Sequence, residues 1–139
     1  MKIIQLYRAD RSGGASIAAY RLNGGLRALG EDSIMLLNKV AQTEEHLYGP
    51  SNRIEKLLAN IGPRLDKIPT IFSKTPYEII SSSWVPDNLV SRVTALAPDV
   101  LNLHWVNGGY MRIETLAKFK LPMVWTLHDM WAFSGGEHY

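Results

Sequence analysis

The chain has 139 residues, is 46% hydrophobic and 20% charged, and carries a net charge of +2 and no cysteine. That length suits one domain with a core that needs no covalent staples. The balance excludes wholesale disorder, disulfides and thiolate metal sites, and the mild charge argues against a nucleic-acid partner.

The opening Met1-Lys2-Ile3-Ile4-Gln5-Leu6-Tyr7-Arg8 becomes charged too quickly for a secretory signal, and no apolar run approaches the ~18 residues of a membrane span. With cysteine absent, the expected location is the cytoplasm.

Ile3 to Tyr7 reads as a buried strand of a parallel sheet. Asp10, Ser12, Gly13 and Gly14 make a turn, and Ala15, Ala18, Ala19, Leu22, Leu26 and Leu29 follow at helical spacing, closed by Gly30. Ser33 to Leu37 is the next strand, completing a strand–helix–strand unit. From about 39 to 83 the chain is irregular and punctuated by proline. One helix is expected there, capped by Ser51, ended by Gly62, and carrying Ile54, Leu57, Leu58 and Ile61 as the face that covers the sheet. Tyr77 to Ile80 suggests a short strand.

Regular alternation then resumes. It gives a helix over Asp87–Ala97, a strand over Val100–Val106, a short helix over Arg112–Phe119 and a strand over Met123–Leu127. The order predicts a single α/β domain, Rossmann-like, with a doubly wound, mainly parallel sheet.

Three strands lead into glycine pairs: Gly13-Gly14, Gly108-Gly109 and Gly135-Gly136. Strand C-termini share one edge of such a sheet, so the pairs are expected to border one cleft for a phosphate-bearing or hydroxylated ligand. The first loop is neither the Gly-x-Gly-x-x-Gly fingerprint nor a Walker loop. His104 and His128 end strands that are candidate neighbours. His128 is suited to donate a hydrogen bond to a sugar hydroxyl or leaving-group oxygen, and Asp129 to bind hydroxyls or orient a base. The spacing of His104, His128, Asp129 and His138 matches no standard zinc pattern. Trp131 and Phe133 lie past the last strand, where aromatics serve a ligand or a domain interface. Arg53, Lys56, Arg64, Lys67 and Lys74 outnumber Glu55 and Asp66. Beside the apolar face of that helix they have two uses, a solvated surface or contact with an anionic membrane.

Met1–Leu6, Ser12-Gly13-Gly14-Ala15, Pro98–Trp105 and above all Pro122-Met123-Val124-Trp125-Thr126-Leu127-His128-Asp129-Met130-Trp131-Ala132-Phe133-Ser134-Gly135-Gly136 carry a resemblance. The chain resembles the N-terminal half of family 4 glycosyltransferases, in particular bacterial enzymes of polysaccharide biosynthesis. The likeness spans nearly the whole sequence and is weakest from Gln42 to Ser83. It implies a GT-B architecture of two Rossmann-like domains, with the acceptor on this one and the nucleotide-sugar on a second domain that this sequence does not contain. It also implies retention of anomeric configuration, with no cofactor and no bound metal.

By resemblance, Gly13 and Gly14 line the cleft near phosphates and His128 lies close to the transferred sugar. Trp105, Asn107, Gly108 and Gly109 border the acceptor pocket. Glu137 stands where many relatives carry a small residue or cysteine, and Gly24-Gly25 is atypical. The implied partners are a nucleotide-sugar and a glycan or lipid-linked acceptor, with peripheral contact at the inner membrane face and self-association through the interdomain face as further expectations. The isolated chain is expected not to transfer sugar, because half of the transition-state binding surface is missing. The alternative is a non-catalytic binding or assembly module of the same fold, with Trp131 and Phe133 exposed; a small hydrolase using His128 and Asp129 ranks last.

Overall fold

The computed structural model describes residues 1–9, 13–40, 44–72 and 80–139. They form β1 (Lys2–Ala9), α1 (Gly14–Ala28), β2 (Asp32–Lys39), β3 (Leu47–Tyr48), α2 (Arg53–Leu65), α3 (Leu89–Leu96), β4 (Val100–Leu103), β5 (Met123–Trp125) and α4 (Trp131–Ser134). Short 3-10 helices cover Ile68–Phe72 and Ile113–Lys118. The five strands build one parallel sheet in the order β3-β2-β1-β4-β5. The fold is therefore α/β and Rossmann-like, as the alternating pattern predicts. Among the described residues no helix is long and apolar enough to cross a membrane.

Side chains on a strand alternate between faces, and here both faces are covered. Ile4, Leu6, Ile34, Leu36, Leu101 and Leu103 pack with Leu89 and Val93 of α3 on one side. Tyr7, Met35 and Leu37 meet Ala19 of α1 on the other. The α1 face also holds polar side chains. Gln5, Ser33 and Asn102 are all buried there, and Gln5 is the register partner of Asn102. Asn23, buried on α1, accepts from Ser33 Oγ at 2.7 Å. Gly24 and Gly25 lie inside α1 without breaking it, and Gly30 follows its last turn at φ +86°.

The segment after β2 is more ordered than its sequence suggests. It supplies β3 at the sheet edge and the 13-residue α2. Asn52, rather than Ser51, caps α2 by accepting from Glu55 N at 2.9 Å, while the Ser51 amide donates to the Glu55 carboxylate. Gly62 does not end the helix, which continues through Pro63 to Leu65. Its role is close packing: a Cβ at Gly62 would stand 2.7 Å from the Gly109 carbonyl oxygen. The buried side of α2 is Ala59, Gly62 and, just beyond its end, Asp66. Ile54 and Leu57, expected to cover the sheet, are exposed instead.

Elsewhere the strands and helices are shorter than expected. Asp87 stays outside α3, where its carboxylate accepts from Leu89 N, Arg112 N and Thr115 Oγ1. The Arg112–Phe119 segment winds as 3-10 helix. Of the strand expected over Tyr77–Ile80, residues 77–79 lie outside the described residues, and Ile80 makes a lone antiparallel bridge to Glu137.

Candidate functional site

Ligands of open parallel sheets bind beyond the strand C-termini, where the strand order reverses. In this sheet β2 lies on one side of β1, and β4 then β5 on the other, so the reversal falls between β1 and β4. A cleft of about 400 Å³ opens there, lined by Tyr7, Arg8, Ala9, Gly13, Gly14, Ala15, Trp105, His128, Asp129, His138 and Tyr139.

Gly13 borders it at φ +88°, a left-handed conformation that suits glycine. Among the described residues no side chain caps α1 and no acidic residue occupies its first turn, and the N-terminal end of the helix borders the cleft.

The polar seam beneath α1 runs into this cleft. Gln5 Oε1 accepts from Asn102 Nδ2 at 2.8 Å and from His104 Nε2 at 2.9 Å. An amide oxygen cannot donate, so His104 carries its proton on Nε2 and offers Nδ1 as an acceptor. His128 Nε2 stands 3.0 Å from that Nδ1 and must donate to it. The His104 and His128 rings stack with centroids 5.3 Å apart. Burial, with the neighbouring His128, pushes His104 down to about 4. Burial also lowers His128, with Asp129 pulling the other way. Both rings are thus neutral near pH 7, and His128 Nδ1 keeps a lone pair. The donor role expected of His128 is already spent on His104, so its free nitrogen is an acceptor.

Asp129 is held by the protein itself. Its Oδ2 accepts from Trp105 Nε1 at 2.6 Å and from His138 Nδ1, and its Oδ1 from the Trp131 amide at 3.0 Å. The far nitrogen of His138 meets Ser81 Oγ at 2.9 Å. The Ser81–His138–Asp129 order is that of a nucleophile relay. Ser81 is buried, however, and its oxygen already accepts from the Gly108 amide at 3.2 Å, so the chain of bonds works as a brace. Trp131 Nε1 adds a bond to the Ser81 carbonyl at 2.9 Å.

Arg8 crosses the cleft wall with its guanidinium 4.7 Å above the Trp105 ring. Burial lowers its pKa, opposed by Tyr7 and Asp66, and its buried Nε has no hydrogen-bond partner among the described residues.

The three glycine pairs do not share one wall. Gly13 and Gly14 line the main cleft. Gly108 borders a smaller cavity of about 260 Å³ with Arg8, Asp66 and Ser81. Gly109 packs on α2, where an added Cβ would run into the Gly62 carbonyl group. Gly135 ends α4 at φ +75°, and Gly136 lies against Ile80 and Ser81, shaping the return that seats His138. His104 and Asn107 are buried, His104 beneath the cleft as support for His128. Trp105, His128 and Asp129 reach the cleft. Sequence reasoning missed Arg8 and Tyr7 as lining residues and Gln5 as the anchor below, and it weighed His138 only among possible zinc ligands. An arginine ending an apolar strand, and a glutamine inside one, were the available signals. Among the described residues no three His, Asp or Glu side chains group as metal ligands.

His104 makes stability depend on pH. Its native pKa is depressed from 6.5 to about 4, so the unfolded chain binds this proton first. The stabilisation is complete above pH 6.5 and is lost as pH falls toward 4. The loss is expected to reach about 2 kcal/mol, a value reduced for screening by solvent in the cleft. Urea midpoints at pH 7 and pH 5 measure it, and His104→Gln, which keeps a donor toward Gln5, should remove that part of the slope.

Fold and site together define a doubly wound α/β domain whose switch-point cleft is floored by two neutral, hydrogen-bonded histidines. No family model, curated protein or solved structure matches the chain.

Proposed function

We propose that the chain is the acceptor-side domain of a retaining glycosyltransferase of the two-domain GT-B type, acting in the cytoplasm in polysaccharide biosynthesis. The observation that carries this reading is that His128, neutral and with Nδ1 unspent, lines the switch-point cleft together with Arg8, Gly13 and Gly14. Such a nitrogen accepts a hydrogen bond from a sugar hydroxyl and fixes the sugar's orientation. Arg8 and the free end of α1 supply positive potential for phosphate oxygens. Trp105 offers an aromatic edge beside them. Asp129 acts as a positioning residue, because its oxygens hold Trp105, His138 and Trp131 in place. The sequence likeness from Trp125 to Gly136 points the same way.

Two measurements test it. A diphosphate-linked glycan acceptor should change the fluorescence of the chain through Trp105, while nucleotide-sugars alone bind weakly. The chain incubated with nucleotide-sugars and acceptor should give no transfer, and turnover by this chain alone would sink the reading.

A second reading, an assembly module, rests on Leu127, Met130, Phe133 and Tyr139, all exposed on the C-terminal run. Trp131, expected on that surface, is instead buried against Ser81. A strict monomer in concentrated sedimentation runs would count against this reading.

A further inference from the structure

The outward side of α2 is not the polar surface of an ordinary covering helix. Ile54, Leu57 and the partly buried Ile61 follow one another at spacings of three and four along α2, and the exposed Ile68 and Ile71 come next in the 3-10 helix. Ile54 is 71% exposed, Leu57 57% and Ile71, in the following 3-10 helix, 70%. The inner side of the helix is already filled by Ala59, Gly62 and Asp66, with Gly62 in close contact with Gly109. The apolar row therefore has no place to turn inward.

The charge beside the row has one sign. Arg53, Lys56, Arg64 and Lys67 are all exposed, and they follow the helix along the flank of the apolar residues. The acidic residues of the segment face elsewhere. Glu55 is tied to Ser51 and to Asn88 Nδ2 at 2.7 Å, and Asp66 is buried. Trp84 adds an amphipathic ring beside the last turn of α2, half-exposed, with its Nε1 donating to the Leu65 carbonyl at 3.1 Å. An apolar row, a basic flank and an aromatic with one polar end are the parts with which a helix lies in the plane of an anionic bilayer.

We infer that α2 and the 3-10 helix after it dock this domain on an anionic lipid surface. The row enters the headgroup boundary and the four cations contact lipid phosphates. The charge complementarity favours lipid over a second copy of the chain, which would bring like charges together. The inference stands apart from the sugar-transfer reading, since it uses none of the cleft residues.

The test is co-sedimentation of the intact chain with vesicles of phosphatidylcholine alone or mixed with phosphatidylglycerol. Binding is expected on the mixed vesicles only, and to weaken at high salt. With four cations near the surface removed, R53Q/K56Q/R64Q/K67Q should weaken it by at least ~100-fold. I54S/L57S should also weaken it, by ~10-fold or more, with an unchanged circular dichroism spectrum because both side chains are exposed. Equal binding to both vesicles, or binding to neither, overturns the inference. So does binding that I54S/L57S leaves intact, because charge alone then holds the protein. Self-association abolished by I54S/L57S, without vesicle binding, assigns the face to a second copy and overturns it as well.

Discussion

Replacing His128 with alanine should lower kcat/KM for sugar transfer by ~10²–10³-fold, measured in a gene product that carries these residues together with a nucleotide-sugar domain. The direction follows from the hydrogen-bond chain: Gln5 fixes His104, His104 fixes His128, and the free Nδ1 is left as an acceptor. That chain also discriminates between conservative replacements. Asparagine places an amide oxygen near the position of Nδ1, whereas glutamine reaches toward that of Nε2. His128→Asn should therefore retain more activity than His128→Gln. The reverse order would mean that the nitrogen facing His104, and not Nδ1, is the working atom. The loss should fall mainly on kcat if the sugar is oriented in the transition state, and on KM if His128 only binds it.

The second large effect is on stability. Gln5→Met keeps the volume of a side chain that is 0% exposed, so it leaves no cavity and tests the hydrogen bonds alone. It orphans two buried donors, Asn102 Nδ2 and His104 Nε2. Each unsatisfied group costs ~1–3 kcal/mol, and the expected total is ~3–4 kcal/mol, about 10 °C in Tm for a domain of this size. Urea denaturation and thermal scans measure it. A change below ~1 kcal/mol would show that water or a rearranged Asn102 replaces the amide. The same substitution frees the His104 tautomer, so the pH dependence of stability should change along with the midpoint.

The parallel α/β arrangement was legible because parallel strands covered on both faces read as apolar runs between helical patterns, whereas the two-residue edge strand β3 was not. The expectation for α2 failed in rotation rather than existence. Ile54, Leu57, Leu58 and Ile61 form a proper helical stripe, and periodicity cannot say whether such a stripe faces a sheet or something else. The burial of Ala59, Gly62 and Asp66, with Gly62 against Gly109, leaves Ile54 and Leu57 of that stripe facing outward. Gly62 read as a stop signal because glycine commonly follows a helix; here it serves close approach.

The site divides in the same way. His128 and Asp129 stand out locally, since a polar pair at the end of an apolar strand is conspicuous in any sequence. Their roles were not local. Asp129 becomes a strut through Trp105 and His138, residues 24 and 9 positions away. His128 becomes an acceptor through Gln5, itself 99 positions from His104.

Most of the helices and strands, and their parallel arrangement, follow from short-range periodicity and turn residues and are readable along the chain. The tertiary structure alone decided which ring nitrogen is free, which glycines make a cleft and which make a contact, and which side of α2 meets solvent. Those depend on groups distant in the chain meeting within hydrogen-bond or van der Waals range, and no local pattern encodes that distance.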